Sequence, residues 1–273
     1  MVELDVLFES NDLQSFPLSD ALKRAYGSSI GFERPRLFAN FVSTMDGVGA
    51  IPDVDRSSAM ISGKNKGDRF VMGLLRACAD AVLVGAGTLR AHPTSLWTPE
   101  NAFPDAADEF AELRRALHMT PAPALAIVTA SGKIDPGHRA LAGGAMVITT
   151  EEGSQRIGKD HGDSLEVVVA GEGRQLSGMQ VVSVLRDRGN ALILTEGGPT
   201  FFGHLLQDGL VDELFLTIAD RIAGRDEHEK RSGIVNDATF LPERLARADL
   251  LSARRLESYL FLRYALRPLE PAA

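Results

Sequence analysis

Short apolar runs recur along the chain at 37–42, 81–84, 125–128, 146–149, 167–170, 191–194 and 214–218. Runs of that length without polar alternation predict strands covered on both faces, as in a parallel sheet. Between them the rhythm changes. Phe70, Leu74, Ala77, Cys78 and Ala81 fall at helical spacing, which predicts an amphipathic helix over 65–79. Further helices are read at 108–117, as an exposed one, and at 180–188 and 200–207. The proline-bearing stretch 92–104 reads as a surface loop. Near the C-terminus, 250–256 and 259–266 lie close together and predict an antiparallel pair. Strands alternating with helices predict an α/β fold, with a mostly parallel central sheet, helices on both faces and an antiparallel C-terminal edge. Residues 1–34 carry little sheet-like pattern and are read as an N-terminal extension packing on a single domain, 35–273.

Open parallel sheets bind ligands beyond the carboxyl ends of their strands. Four polar or glycine-rich motifs fall at such ends: Ser43-Thr44-Met45-Asp46-Gly47, Gly85-Ala86-Gly87-Thr88, Thr129-Ala130-Ser131-Gly132-Lys133 and Thr195-Glu196-Gly197-Gly198-Pro199-Thr200. In the last, two glycines are read as a tight turn at positive φ. Pro199 suits a first helical turn, where its missing N–H costs nothing. The helix that follows turns free N–H groups and a positive dipole end toward the strand ends, a place for phosphate or pyrophosphate. Glu196 is awkward beside an anion unless it faces a different, hydrogen-bond-donating ligand. Together the four motifs point to a long ligand lying across several strand ends, as a dinucleotide would. No Gly-x-Gly-x-x-Gly fingerprint follows the first strand, so an ordinary Rossmann domain is not expected.

Composition narrows the classes. The chain has 273 residues, 44% hydrophobic, with a formal net charge of -8. Such a charge argues against a protein that tracks nucleic-acid phosphates. The single cysteine, Cys78, excludes an internal disulfide and a multi-cysteine zinc site, and its apolar neighbours mark it as a buried core thiol. No signal-peptide pattern and no run of membrane-spanning length is present, so a cytoplasmic protein is expected, with no membrane partner and no metal.

A family resemblance rests on Thr44-Met45-Asp46-Gly47, Gly67-Asp68-Arg69-Phe70, Leu74-Leu75-Arg76, the run from Ala79 to Thr88, and Glu196-Gly197-Gly198-Pro199-Thr200, in that order. The set resembles the reductase domain of bacterial riboflavin biosynthesis, the C-terminal part of the bifunctional deaminase-reductase, which has a dihydrofolate reductase-like fold. It covers about 36–266. The resemblance implies an NADPH-dependent oxidoreductase, a homodimer, that transfers hydride to a C=N-type bond of a small heterocycle. A stand-alone reductase is implied, since one cysteine cannot supply the deaminase zinc site. It places Val42, Ser62, Gly87, Thr88, Ser131, Gly197, Gly198, Pro199, Thr200 and Phe201 at cofactor contacts. Met60, Arg76 and Glu196 fall at substrate contacts, and Asp46 and Glu196 are candidates for the catalytic acid.

Some readings stay open. Asp46 either braces its turn or works in the catalytic site. Arg76 either orients substrate or forms a structural ion pair. Lys133 either reads a cofactor 2′-phosphate or is an exposed lysine beside a turn, and Trp97 either offers a flat face to a heterocycle or anchors its loop. The family usually carries Ala-Asp-Asp-Pro and then Leu-Thr-x-Arg after the Gly-Thr pair. Here His92 replaces the acidic residue and no arginine follows Leu96. That departure predicts weak handling of a ribose phosphate and leaves dihydrofolate or another pterin as an alternative substrate. A dinucleotide-binding regulatory protein without turnover is the alternative from another class.

Overall fold

The computed structural model describes residues 1–51, 54, 57–158, 165–171, 176–225 and 231–271. The chain begins with β1 (Asp5–Glu9) and α1 (Asp20–Tyr26), then β2 (Arg36–Ser43), the short α2 (Ser57–Ile61) and α3 (Lys66–Cys78). Asn65 starts α3, its Oδ1 accepting the N–H groups of Gly67 and Asp68 at 2.8 and 3.2 Å. Strand β3 (Ala81–Gly85) runs straight into α4 (Ala86–Ala91), followed by α5 (Pro99–Ala102) and α6 (Ala107–Ala116). Next come β4 (Ala124–Thr129), β5 (Ala145–Thr150), α7 (Glu151–Ile157), β6 (Leu165–Gly171) and α8 (Gly178–Asp187). A reciprocal Ser177–Gln180 capping box opens α8. The remaining elements are β7 (Leu192–Thr195), α9 (Pro199–Gln207), β8 (Glu213–Ile218), β9 (Arg244–Leu245), β10 (Ala248–Leu256), β11 (Tyr259–Leu266) and β12 (Glu270–Pro271).

Ten strands form one sheet in the order β1-β10-β11-β8-β2-β7-β3-β4-β5-β6, while β9 and β12 pair separately. From β8 to β6 every pairing is parallel, and β11, β10 and β1 add an antiparallel edge. The apolar runs explain the layering. Along β3, Val82 and Val84 enter one core with α1, α3 and α6, whereas Ala81 and Leu83 enter the other with α8 and α9. Phe38 and Leu37 of β2 divide in the same way. Each strand therefore needs apolar residues at successive positions, as the period-two geometry requires.

Three expectations are corrected. Residues 1–34 hold a strand after all: β1 pairs with β10, and Val6, Leu7 and Phe8 are exposed on the sheet edge. The stretch 92–104 is not a surface loop, since it contains α5 and buries Trp97 and Phe103, the latter edge-on to Phe70 at 5.6 Å. Helix α6 is amphipathic rather than simply exposed. Its Phe110 lies so close to Gly73 that a Cβ there would come within 2.7 Å of the ring. Its buried Arg114 donates to the carbonyls of Arg76, Ala77 and Ala79 at 3.1, 3.2 and 2.7 Å, placing a cation on the C-terminus of α3. Cys78 is fully buried, and burial pushes its thiol up to about 12, consistent with a core residue. No helix among the described residues is long and apolar enough to cross a membrane.

Candidate active site

Strands β3 and β7 are neighbours and end side by side. The turn after β7 is pinned to β3, the Glu196 N–H donating to the Leu83 carbonyl at 3.0 Å. Gly198 sits at φ −65°, ψ 166°, so the expected positive-φ turn is not what selects glycine here. Crowding does not select it either. A Cβ on Gly198 would meet only Thr88 Oγ1, at 3.5 Å, and one on Gly85 only the Gly198 nitrogen, at 3.9 Å. Gly87 likewise has nothing nearer than Arg90 Nη2 at 3.9 Å. Gly85 and Gly198 thus border a gap beside Thr88, at the start of α9, that a Cβ on either would enter without a clash. Gly197 differs. Its Cβ would press on Phe201 at 3.0 Å and Thr195 Oγ1 at 3.2 Å, which makes it a packing glycine.

Next to this gap, Arg76 reaches up from the last turn of α3 to Glu196. The two form a fork-like pair, with Nε to Oε1 at 2.9 Å and Nη2 to Oε2 at 2.6 Å, and side chains only 5% and 10% exposed. Arg76 Nη1 also donates to the Thr98 carbonyl at 3.3 Å. Of the three residues singled out as substrate contacts, Arg76 and Glu196 therefore stand together, each engaging the other.

The other residues read from the sequence scatter more widely. Val42 is next to last in β2, and in register beside it on β8 lies Thr217. Ser62 is buried just past α2, while Met60 is 57% exposed with its carbonyl accepting from Arg221 at 3.0 Å. Pro199 occupies the first turn of α9, and Thr200 spends its hydroxyl on Asp237 at 3.0 Å. Ser131, beyond β4, is exposed, its carbonyl accepting from Arg156 at 2.8 Å.

Asp46 accepts from Thr44 Oγ1 at 2.6 Å and from the Ala223 and Gly224 N–H groups at 3.0 and 2.8 Å. The Thr44 hydroxyl and these backbone donors hold its carboxyl down at about 2. An acid that is ionised at neutral pH has no proton to donate, so the bracing reading is the one its contacts support. His92 donates from Nδ1 to the Thr88 carbonyl at 2.9 Å, and its Nε2 pairs with Ser58 Oγ at 2.9 Å. Trp97 is buried and packs against His138 with ring centres 5.9 Å apart, which makes it an anchor of its loop.

Two features escaped the sequence reading. Asp68 is buried among hydroxyls near Glu196, and burial raises its carboxyl to about 6. A lone Asp in a helix gives no sign of that. The second is a recess of about 720 Å³ beyond β4, lined by Arg90, Lys133 and Arg156, with Asp135 as its acidic member. Only Lys133 had been marked. Arg90 comes from α4 and Arg156 from α7, elements that the sequence alone does not bring together.

The family model for the RibD C-terminal domain matches residues 35–250. The 2,5-diamino-6-ribosylamino-4(3H)-pyrimidinone 5′-phosphate reductase of Archaeoglobus fulgidus is 30% identical over 201 residues, covering 71% of this chain and 84% of that protein. Riboflavin biosynthesis protein RibD of Escherichia coli is 28% identical over 191 residues, 63% of this chain but 47% of that longer protein. Among solved structures, a pyrimidine reductase-like protein from Corynebacterium diphtheriae superposes with a TM-score of 0.66 at 24% identity, covering 86% of this chain and 92% of the other.

Proposed function

The chain belongs to the RibD C-terminal domain family, and on that premise we propose that it is a nicotinamide-dependent reductase acting on the C=N-type bond of a small aminopyrimidine, with NADPH preferred. The observation that carries this reading is the glycine-bordered gap between the ends of β3 and β7, where a Cβ on Gly85 or Gly198 would meet no atom nearer than 3.5 Å. That gap fits a pyrophosphate: backbone approaches closely, and the first-turn N–H groups of α9 lie above it. The cofactor, when bound, supplies the hydride. Thr88 contributes a hydroxyl beside the gap, and the Arg90, Lys133 and Arg156 recess offers the cations that a 2′-phosphate requires.

Arg76 and Glu196 do the work at the substrate end. Their two-point pair fixes both planar groups, leaving Glu196 lone pairs free to accept from ring N–H or amino groups. Holding the heterocycle in one plane against the hydride donor is a positioning contribution. The substrate class follows the printed activity of the Archaeoglobus fulgidus relative. With Trp97, Thr98 and Pro99 following Leu96, no arginine clamps a sugar phosphate there, so the phosphorylated substrate is held loosely. We further propose a cytoplasmic homodimer, supported by the exposed Val6, Leu7 and Phe8 of β1.

The test is reduced-cofactor oxidation by the purified chain, followed by absorbance, with the ribosylaminopyrimidinone phosphate and with dihydrofolate. Oxidation with the pyrimidine at a high KM is expected. Oxidation with dihydrofolate alone moves the substrate to pterins, and no oxidation with either refutes the reductase reading.

A further inference from the structure

Strand β2 outruns its neighbour β7. Ala39 lies beside Thr195, where β7 ends, whereas β2 continues to Ser43, beside Ile218 of β8. That extension, about 13 Å of strand, walls one side of a cleft above Glu196. The opposite wall is α4 and the segment after it, which follow directly on β3. This second wall is braced. The His92 carbonyl accepts from His138 Nε2 and from the Ser95 N–H, both at 3.1 Å, and Trp97 is buried. Arg76 Nη1 donates to the Thr98 carbonyl of the same segment at 3.3 Å, which joins that wall to the Arg76–Glu196 pair.

Helix α2 ties the two walls together. At one end the Met60 carbonyl accepts from Arg221 Nη1 at 3.0 Å, and Arg221 lies just past β8. Gly63 makes room for that arginine, since a Cβ there would overlap Arg221 Nη2. At the other end Ser58 Oγ lies 2.9 Å from His92 Nε2. His92 Nδ1 faces the Thr88 carbonyl at 2.9 Å, and a carbonyl can only accept, so Nδ1 carries the ring proton. In the neutral ring Nε2 then has the free lone pair, and the Ser58 hydroxyl donates to it. In the sheet, β8 and β3 are separated by β2 and β7. A short helix fastened beyond each of them thus crosses above the end of β7, where Glu196 stands.

We propose that α2 is a crossbar over the substrate end of the site, and that Ser58 and His92 are the positioning residues that hold it there. The inference rests on the reductase reading above. His92 is itself fixed, by Thr88 on its ring and His138 on its carbonyl, so α2 is the element being positioned. Breaking the bond frees the Ser58 end of α2 while Arg221 still holds Met60. A heterocycle resting on Arg76 and Glu196 then has an open side, through which it leaves and water enters. The pyrophosphate gap is bordered by Gly85 and Gly198, on other elements, so cofactor affinity does not depend on α2.

A double-mutant cycle tests the bond. Ser58→Ala removes the hydroxyl. His92→Asn keeps an N–H at the Nδ1 position for the Thr88 carbonyl but loses the acceptor that Ser58 uses. Each variant is expected to raise KM for the ribosylaminopyrimidinone phosphate about tenfold, with kcat and NADPH Kd within about threefold of wild type. The double variant is expected to be no worse than either single one, because both break the same bond. Ser58→Thr, which retains the hydroxyl, is expected to restore the wild-type KM. Amide hydrogen exchange over 57–61 is expected to quicken in S58A and H92N and to stay at the wild-type rate in S58T. Additive KM effects, an equal rise in NADPH Kd, unchanged exchange, or no rescue by S58T overturns the proposal. Should S58A fail to fold, H92N and S58T decide by the same readings. Absence of wild-type turnover with either substrate overturns the reductase reading and this proposal with it, whereas turnover with an unchanged KM in the variants overturns this proposal alone.

Discussion

Arg76 and Glu196, 120 positions apart in the chain, meet in a two-point ion pair that ties the end of α3 to the turn after β7. A lysine keeps the charge but not the fork. Arg76→Lys is therefore expected to lower turnover at least tenfold while cofactor Kd changes little. Removing the partner altogether with Arg76→Ala strands a carboxylate and is expected to cost stability as well, about 3–5 kcal/mol by analogy with other buried pairs. Steady-state kinetics, cofactor titration and denaturant unfolding separate these effects. A wild-type turnover in R76K removes the pair from the substrate site.

The glycines after β7 are expected to respond differently to one substitution. Gly198→Val places its Cβ in ordinary contact with Thr88 Oγ1 at a φ any residue adopts, so the fold should survive while cofactor affinity falls, by about a hundredfold. Gly197→Val drives a side chain into Phe201 and should lower the melting temperature. Circular dichroism with cofactor-fluorescence titration checks both. Unchanged affinity in a folded G198V would move the pyrophosphate elsewhere.

For the recess beyond β4, Arg90→Ala, Lys133→Ala and Arg156→Ala are each expected to weaken NADPH about tenfold and leave NADH alone. A charged hydrogen bond to phosphate is worth about 1.5–3 kcal/mol. Calorimetry with both dinucleotides at two salt concentrations reads the selectivity. Equal losses for the two would show that the cations steer the whole cofactor and do not read the 2′-phosphate.

Asp68 also predicts a pH dependence of stability. Its folded-state pKa is raised from 3.8 to about 6, so the folded chain binds the proton more tightly than the unfolded one. The favourable contribution is complete below the unfolded value and is lost as pH rises through about 6. Relative to D68N, the wild type should lose on the order of 3 kcal/mol between pH 4 and pH 8. Unfolding of both proteins in urea across that range measures the difference. Parallel curves would mean that Asp68 is ionised throughout.

The parallel strands were legible because burial on both faces demands successive apolar residues, as in Ala191-Leu192-Ile193-Leu194. Pro199 was legible because few residues suit the first turn of a helix above a strand end, whereas the positive φ read for its glycines was not found. Strand β1 was hidden because Val6, Leu7 and Phe8 lie exposed on an edge, where no burial pattern is imposed. The inward fold of 92–104 was hidden because its prolines resemble those of a solvated loop, although Trp97 and Phe103 are buried. Asp68 shows the deeper limit. Whether a carboxyl is charged depends on which partners the fold delivers, and Ser62, Thr217 and Glu196 come from three separate elements.

Strand β2 takes both its neighbours, β7 and β8, from far along the chain, and the Leu37 N–H is satisfied by Asp212, 175 positions later. During synthesis the central strand therefore waits, apolar and unpaired, until most of the protein has left the ribosome. Contacts of such long range slow folding and expose sticky surface meanwhile. A nascent chain stopped before Glu213 has no β8 to flank β2 and no Thr217 beside Asp68. Truncation products of this gene are thus bound for aggregation or proteolysis, not for partial activity.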